Sequence, residues 1–122
     1  MNKLPIEFEE LFQEAKGLIE SEDSAQQVIA VRTVKGHTYS FAYYIMHGEL
    51  TEEKNFIDRL VQEDDTEINY LVCMWDTKEL DIPSQHMRNL LMEMNPLNQE
   101  MTLLLKGADE YILKKLHVIK PQ

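Results

Sequence analysis

The run "INYLVCMW", Ile68 to Trp75, constrains this chain more than any other stretch. Its residues favour extended backbone, and apolar side chains fall on both of the faces that a strand presents. Such a strand must lie centrally in a sheet or be covered on both faces, because an open face would leave apolar area in water. With 122 residues, 43% of them hydrophobic, the chain can build that cover around one core. The expected organisation is one domain spanning residues 1–122.

Periodicity supplies the neighbours. Phe8, Leu11, Phe12, Ala15, Leu18 and Ile19 recur at helical spacing, while Glu7, Glu9, Glu10 and Glu14 point elsewhere. Pro5 suits the first turn of that helix. The polar run "ESEDSAQQ" reads as a loop. The next stretch, "VIAVRTVKGHTYSFAYYIMHG", reads as a hairpin turning at Lys35 and Gly36. A two-residue connection pairs Val34 with His37 and sets Val28, Ala30 and Arg32 beside Tyr43, Phe41 and Tyr39.

A second helix should start at Thr51 as N-cap, with Glu52 and Glu53 in its first turn and Phe56, Ile57, Leu60 and Val61 as its buried stripe. A third follows in "SQHMRNLLMEMN", where Met87, Leu90, Leu91 and Met94 share one face. Asp81 or Ser84 can cap it, and Asn95 and Pro96 end it. The tail reads as two strands about a turn near Gly107 to Asp109, with a helix over residues 109–119 as the alternative. The order helix, two strands, helix, strand, helix, two strands implies an α+β fold. We expect a single two-layer domain, with a mixed, mainly antiparallel sheet of about five strands and three helices packed against it.

Net charge narrows the function. With 22 acidic and 12 basic side chains, the formal charge is -10, which repels a phosphate backbone and argues against nucleic-acid binding. No run of eighteen apolar residues suggests a membrane span, and "MNKLPIEFEE" does not resemble a signal peptide. One cysteine, Cys73, in the apolar run fits a reducing cytosol and an inert core position.

Catalytic patterns are sparse. Residues two apart on a helix do not face each other, so Ser84 and His86 do not make a nucleophile and base pair, and Ser84 is better used as a cap. The helix start, with His86 and Arg88 nearby, can instead hold a carboxylate or phosphate. His37, His47, His86 and His117 lack metal-site spacing, so no metal and no cofactor is expected. "EDDTE", with Asp64 and Asp65, lacks the glycine of a calcium loop and reads as a solvated acidic turn. Gly36 and Gly48 stand alone, so no phosphate-cradling loop is present.

These readings point to a non-enzymatic protein-binding domain with an acidic surface, immunity- or adaptor-like in size and charge. Its protein partner would be basic if charge guides the contact. Candidate contacts are Glu7, Glu10 and Glu14 on the first helix, Asp64 and Asp65 in the acidic turn, and Arg32 with Tyr39 and Tyr43 on the hairpin. The alternative is a small-molecule or anion-binding module using His86 and Arg88.

Overall fold

A computed structural model describes residues 3–44 and 49–119, with the side chains of residues 49 and 50 left undescribed. The elements are α1 (Glu9–Ser21), β1 (Ala25–Thr33), β2 (Thr38–Tyr44), α2 (Glu49–Gln62), β3 (Ile68–Trp75), α3 (Gln85–Met94), β4 (Thr102–Lys106) and β5 (Tyr111–Lys115). Short 3-10 turns precede α1 and flank the last two strands. This is the expected α+β element order, with three helices and a five-stranded mixed sheet. His47 and Gly48 lie outside the described residues.

The sheet runs β2-β1-β3-β4-β5, so the apolar run at 68–75 is the central strand. It pairs antiparallel with β1 and parallel with β4. Parallel neighbours need a crossover, and α3 lies in the chain between β3 and β4. Side chains then alternate. Ile29, Val31, Leu71, Cys73 and Leu103 meet Phe56 and Leu60 of α2 and Met87 and Leu91 of α3. On the other face Val28, Ala30, Val72, Met74 and Leu104 meet Phe8, Leu11, Ala15 and Ile19 of α1 and its entry turn. Both faces of β3 are covered, as its composition requires.

Three local expectations need correction. Gly36 sits at φ +89° as the last residue of a three-residue turn, and Thr33 N–H donates to His37 O at 2.9 Å. A three-residue loop closed by a glycine in that conformation competes with the two-residue turn. It shifts the register by one residue: Val31 opposes Tyr39, Ile29 opposes Phe41, and Arg32 opposes Thr38. Arg32 therefore turns to the α1 face, where it pairs with Glu10 at 3.3 Å, away from Tyr39 and Tyr43. The second helix begins at Glu49, so Thr51 lies inside it and does not cap it. β1 begins at Ala25, shortening the expected loop.

Candidate active site

α2 presents Glu53, Phe56, Ile57 and Leu60 on one stripe, at i, i+3, i+4 and i+7. That phase sends Glu53 inward with the apolar residues, and it is 1% exposed. A buried carboxylate is costly unless hydrogen-bonded. Three side chains meet it. Tyr43 Oη of β2 donates to its Oε2 at 2.5 Å, and Ser84 Oγ donates to the same oxygen at 3.3 Å. His86 Nδ1 lies 2.6 Å from Oε1. An ionised carboxylate only accepts, so Nδ1 carries a hydrogen, and in the neutral ring the lone pair is then on Nε2. The His86 side chain is 51% exposed.

The start of α3 makes this meeting possible. Ser84 is the N-cap and accepts from Met87 N at 3.1 Å while its own hydrogen goes to Glu53. Ser84 and His86 do not face each other, as helix geometry dictates, yet both reach one carboxylate on another helix. Asp81 takes a different part from the expected cap: its Oδ2 accepts from Trp75 Nε1 at 2.9 Å and its Oδ1 from Ile82 N at 2.7 Å. Beside this group opens a cavity of about 270 Å³, lined by Tyr43, Trp75, Asp81, Ser84, Gln85 and Arg88 among others. Arg88 is 3% exposed, and its guanidinium donates to Pro83 O and, at 2.9 Å, to Gln85 Oε1. Burial pushes its pKa down from the ordinary value.

Of the residues singled out in the sequence, Tyr43, His86 and Arg88 are brought to this one place. The others are dispersed. Glu7, Glu10 and Glu14 are exposed on α1 and its entry turn, Glu10 pairing with Arg32 and Glu14 accepting from Ser40. Asp64 is exposed near Lys35. Asp65, expected in a solvated turn, is 2% exposed and accepts from His37 Nδ1 at 2.7 Å and Tyr39 Oη at 2.9 Å. Burial pushes its pKa up, but hydrogen bonds from His37, Thr33 and Tyr39 outweigh that and hold it below the ordinary value. Cys73 is fully buried, and burial first, then Asp81, pushes its thiol pKa well up, as an inert core position implies. Glu53 is not among the sequence-based site candidates, although its phase with Phe56, Ile57 and Leu60 signals it.

No family model matches the sequence, and no curated protein matches it. Solved structures do. Cytidine deaminase from Mycobacterium leprae superposes with a TM-score of 0.71 at 16% identity, covering 97% of this chain and 100% of that one. The chain has the cytidine deaminase fold. Cytidine deaminase from Bacillus anthracis gives 0.67 at 18% identity, covering 89% of this chain and 83% of the other. That from Mycobacterium tuberculosis gives 0.66 at 14%, covering 93% and 94%. The expectation of a non-enzymatic protein-binding domain is thereby corrected, because the fold shared over nearly the whole chain is an enzyme fold. Acidity and the lack of a local motif pointed the other way, since neither reports on contacts between distant helices.

Zinc deaminases hold their metal on a His-x-Glu run followed by Pro-Cys-x-x-Cys, the glutamate acting on protons and the other three residues binding zinc. In this chain the runs with that spacing around a glutamate and a proline are Thr51-Glu52-Glu53 and Pro83-Ser84-Gln85-His86-Met87. The glutamate and the proline are present. Thr51, Ser84 and Met87 stand in the three ligand places, where they offer two alcohols and a thioether instead of imidazole and thiolates. Ser84 Oγ is engaged by Met87 N and Glu53, and Met87 is fully buried in the core. Among the described residues no group of three or more His, Cys, Asp or Glu could hold a metal ion. The residues present do not fit zinc.

Proposed function

We propose that this chain is a metal-independent hydrolase built on the deaminase fold, with His86 as general base and Glu53 as its orienting carboxylate. The observation that carries the reading is the 2.6 Å contact between His86 Nδ1 and a carboxylate that is 1% exposed, on a ring that is itself half-exposed. Glu53 fixes the tautomer, and Tyr43 and Ser84 hold its second oxygen so that the carboxylate cannot turn away. His86 Nε2 then offers a lone pair from a half-exposed ring, next in the chain to Gln85 of the cavity lining. It takes a proton from a water as the water oxygen bonds to an electrophilic carbon of a small polar substrate. The same proton passes from Nε2 to the leaving group as that bond breaks. Glu53 supplies negative charge beside the ring while it carries the extra proton.

The likeness to hydrolytic deaminases supports the choice of reaction class, and the misfit of Thr51, Ser84 and Met87 to zinc supports a route through protein groups. A cytosolic setting belongs to the same reading, supported by Cys73 as a free buried thiol. Among the described residues no helix is long and apolar enough to cross a membrane.

The test is a hydrolysis screen over nucleosides, amides and esters, run with chelator and with added zinc. Turnover should be indifferent to both, and His86→Ala should lower it by about 10²- to 10⁴-fold, the usual share of general acid–base catalysis. Turnover that needs zinc, turnover indifferent to His86→Ala, or no turnover across the screen would each reject the proposal.

A further inference from the structure

The cavity beside the proposed acid–base pair holds an imbalance of charge. Arg88 is 3% exposed, and its acceptors, Pro83 O and Gln85 Oε1, are both neutral. Among the described residues no carboxylate lies within ion-pair range of its guanidinium, in a chain with ten more acids than bases. Guanidinium offers five donors in a planar fork, and a buried one without a counter-charge lacks the compensation that burial of a cation normally requires.

We infer that Arg88 binds a carboxylate of the substrate in this cavity. The size fits: about 270 Å³ takes a small molecule and not a large one. Gln27 and Gln85 add polar lining, and Trp75 adds an aromatic wall beside the charge. Asp81 lines the same cavity, and its two oxygens are already committed to Trp75 and Ile82. That fixed negative charge disfavours a doubly charged phosphate more than a singly charged carboxylate. Tyr43 and Ser84 line the cavity and donate to Glu53, so a ligand anchored on Arg88 lies against the residues that steady the acid–base pair. That the ligand is a substrate rests on the proposed function; the binding itself does not.

Trp75 is the sole tryptophan, so its fluorescence reads the cavity directly in the unmodified protein. The probes are cyclohexanecarboxylate, its neutral carboxamide, and inorganic phosphate, none of which absorbs with tryptophan. The carboxylate should change Trp75 emission saturably, with affinity at least about tenfold above the carboxamide and above phosphate. Arg88→Lys, checked for folding by circular dichroism, keeps the charge but loses the planar fork and should weaken the carboxylate about tenfold. His86→Ala should leave the carboxylate affinity within about twofold while lowering turnover by about 10²- to 10⁴-fold. Equal response to carboxylate and carboxamide, tighter binding of phosphate, or no response to millimolar carboxylate would overturn the inference. If carboxylate binds as expected but no hydrolysis is found, the anion site stands and the acid–base reading falls; if only uncharged substrates turn over, the acid–base reading stands and the anion site falls.

Discussion

Replacing Glu53 with glutamine tests the proposed centre without removing it. Glu53 accepts three hydrogen bonds, two on Oε2 and one on Oε1. Glutamine keeps the volume and one acceptor oxygen. If that oxygen takes the Oε2 place, Tyr43 and Ser84 keep their acceptor, and the amide NH₂ faces His86 Nδ1. A donor opposite Nδ1 then forces that nitrogen to accept, which moves the ring hydrogen to Nε2. The general base is lost although every hydrogen bond remains.

Stability should change little. Charge-assisted hydrogen bonds are roughly twice as strong as neutral ones, so their loss is unfavourable. Removing a carboxylate from a site that is 1% exposed also lifts a desolvation penalty of several kcal/mol, so the opposing terms should leave a net change within about 1 kcal/mol. Activity should fall far more. An orienting carboxylate replaced by its amide costs on the order of 10⁴ in rate through the wrong tautomer, which is about 5.5 kcal/mol at 1.36 kcal/mol per factor of ten. Nitrogen-15 chemical shifts of the His86 ring, taken with kcat and with urea unfolding, read all three quantities. A Glu53→Gln protein that keeps hydrogen on Nδ1, or that keeps the wild-type rate with the hydrogen moved, would refute this account of Glu53.

Other consequences concern the rest of the fold. Because the Asp65 pKa is held below its ordinary value of 3.8, its contribution to stability is full above about pH 4 and is lost as pH falls through the lower folded value. Asp65→Asn should lower stability at pH 7 and flatten the decline on the acid side, measured as urea midpoints from about pH 2 to pH 7. Leu71→Ala, at a fully buried position on the central strand, should cost about 2–5 kcal/mol in urea unfolding. Cys73 should resist iodoacetamide in the folded protein and react after denaturation, because the thiol is buried and its pKa is raised. Gly36→Ala should destabilise by about 1 kcal/mol, since φ +89° suits glycine and strains alanine.

Local pattern makes part of this structure legible. The apolar run at 68–75 announces a covered strand, and β3 is the central one. Ser84 is readable as a cap because a helix start has unsatisfied amides and the stripe Met87, Leu90, Leu91 fixes where the helix begins. The hairpin register is less secure, because one extra loop residue ending in Gly36 exchanges the two faces and carries Arg32 away from the tyrosines. His86 and Arg88 stand out for their place at the helix start. Their neighbour Glu53 does not, because 33 residues separate it from His86 and no spacing rule spans that interval.

Glu53 nevertheless carries a signal that its place in the helix obscures. An acid near the start of a helix complements the helix dipole, and that explanation serves Glu52 equally well. Phase separates them: Glu53 lies three, four and seven residues before Phe56, Ile57 and Leu60, and it is buried, whereas Glu52 lies off that stripe and is only partly covered. An acid on the core stripe must find hydrogen-bond donors from elsewhere in the fold, because burial without them is too costly. Asp65 obeys the same requirement with His37 and Tyr39. The legible question is therefore which donors a buried acid recruits, and in this fold the answer for Glu53 is a tyrosine, a serine and the one histidine placed at the opening of α3.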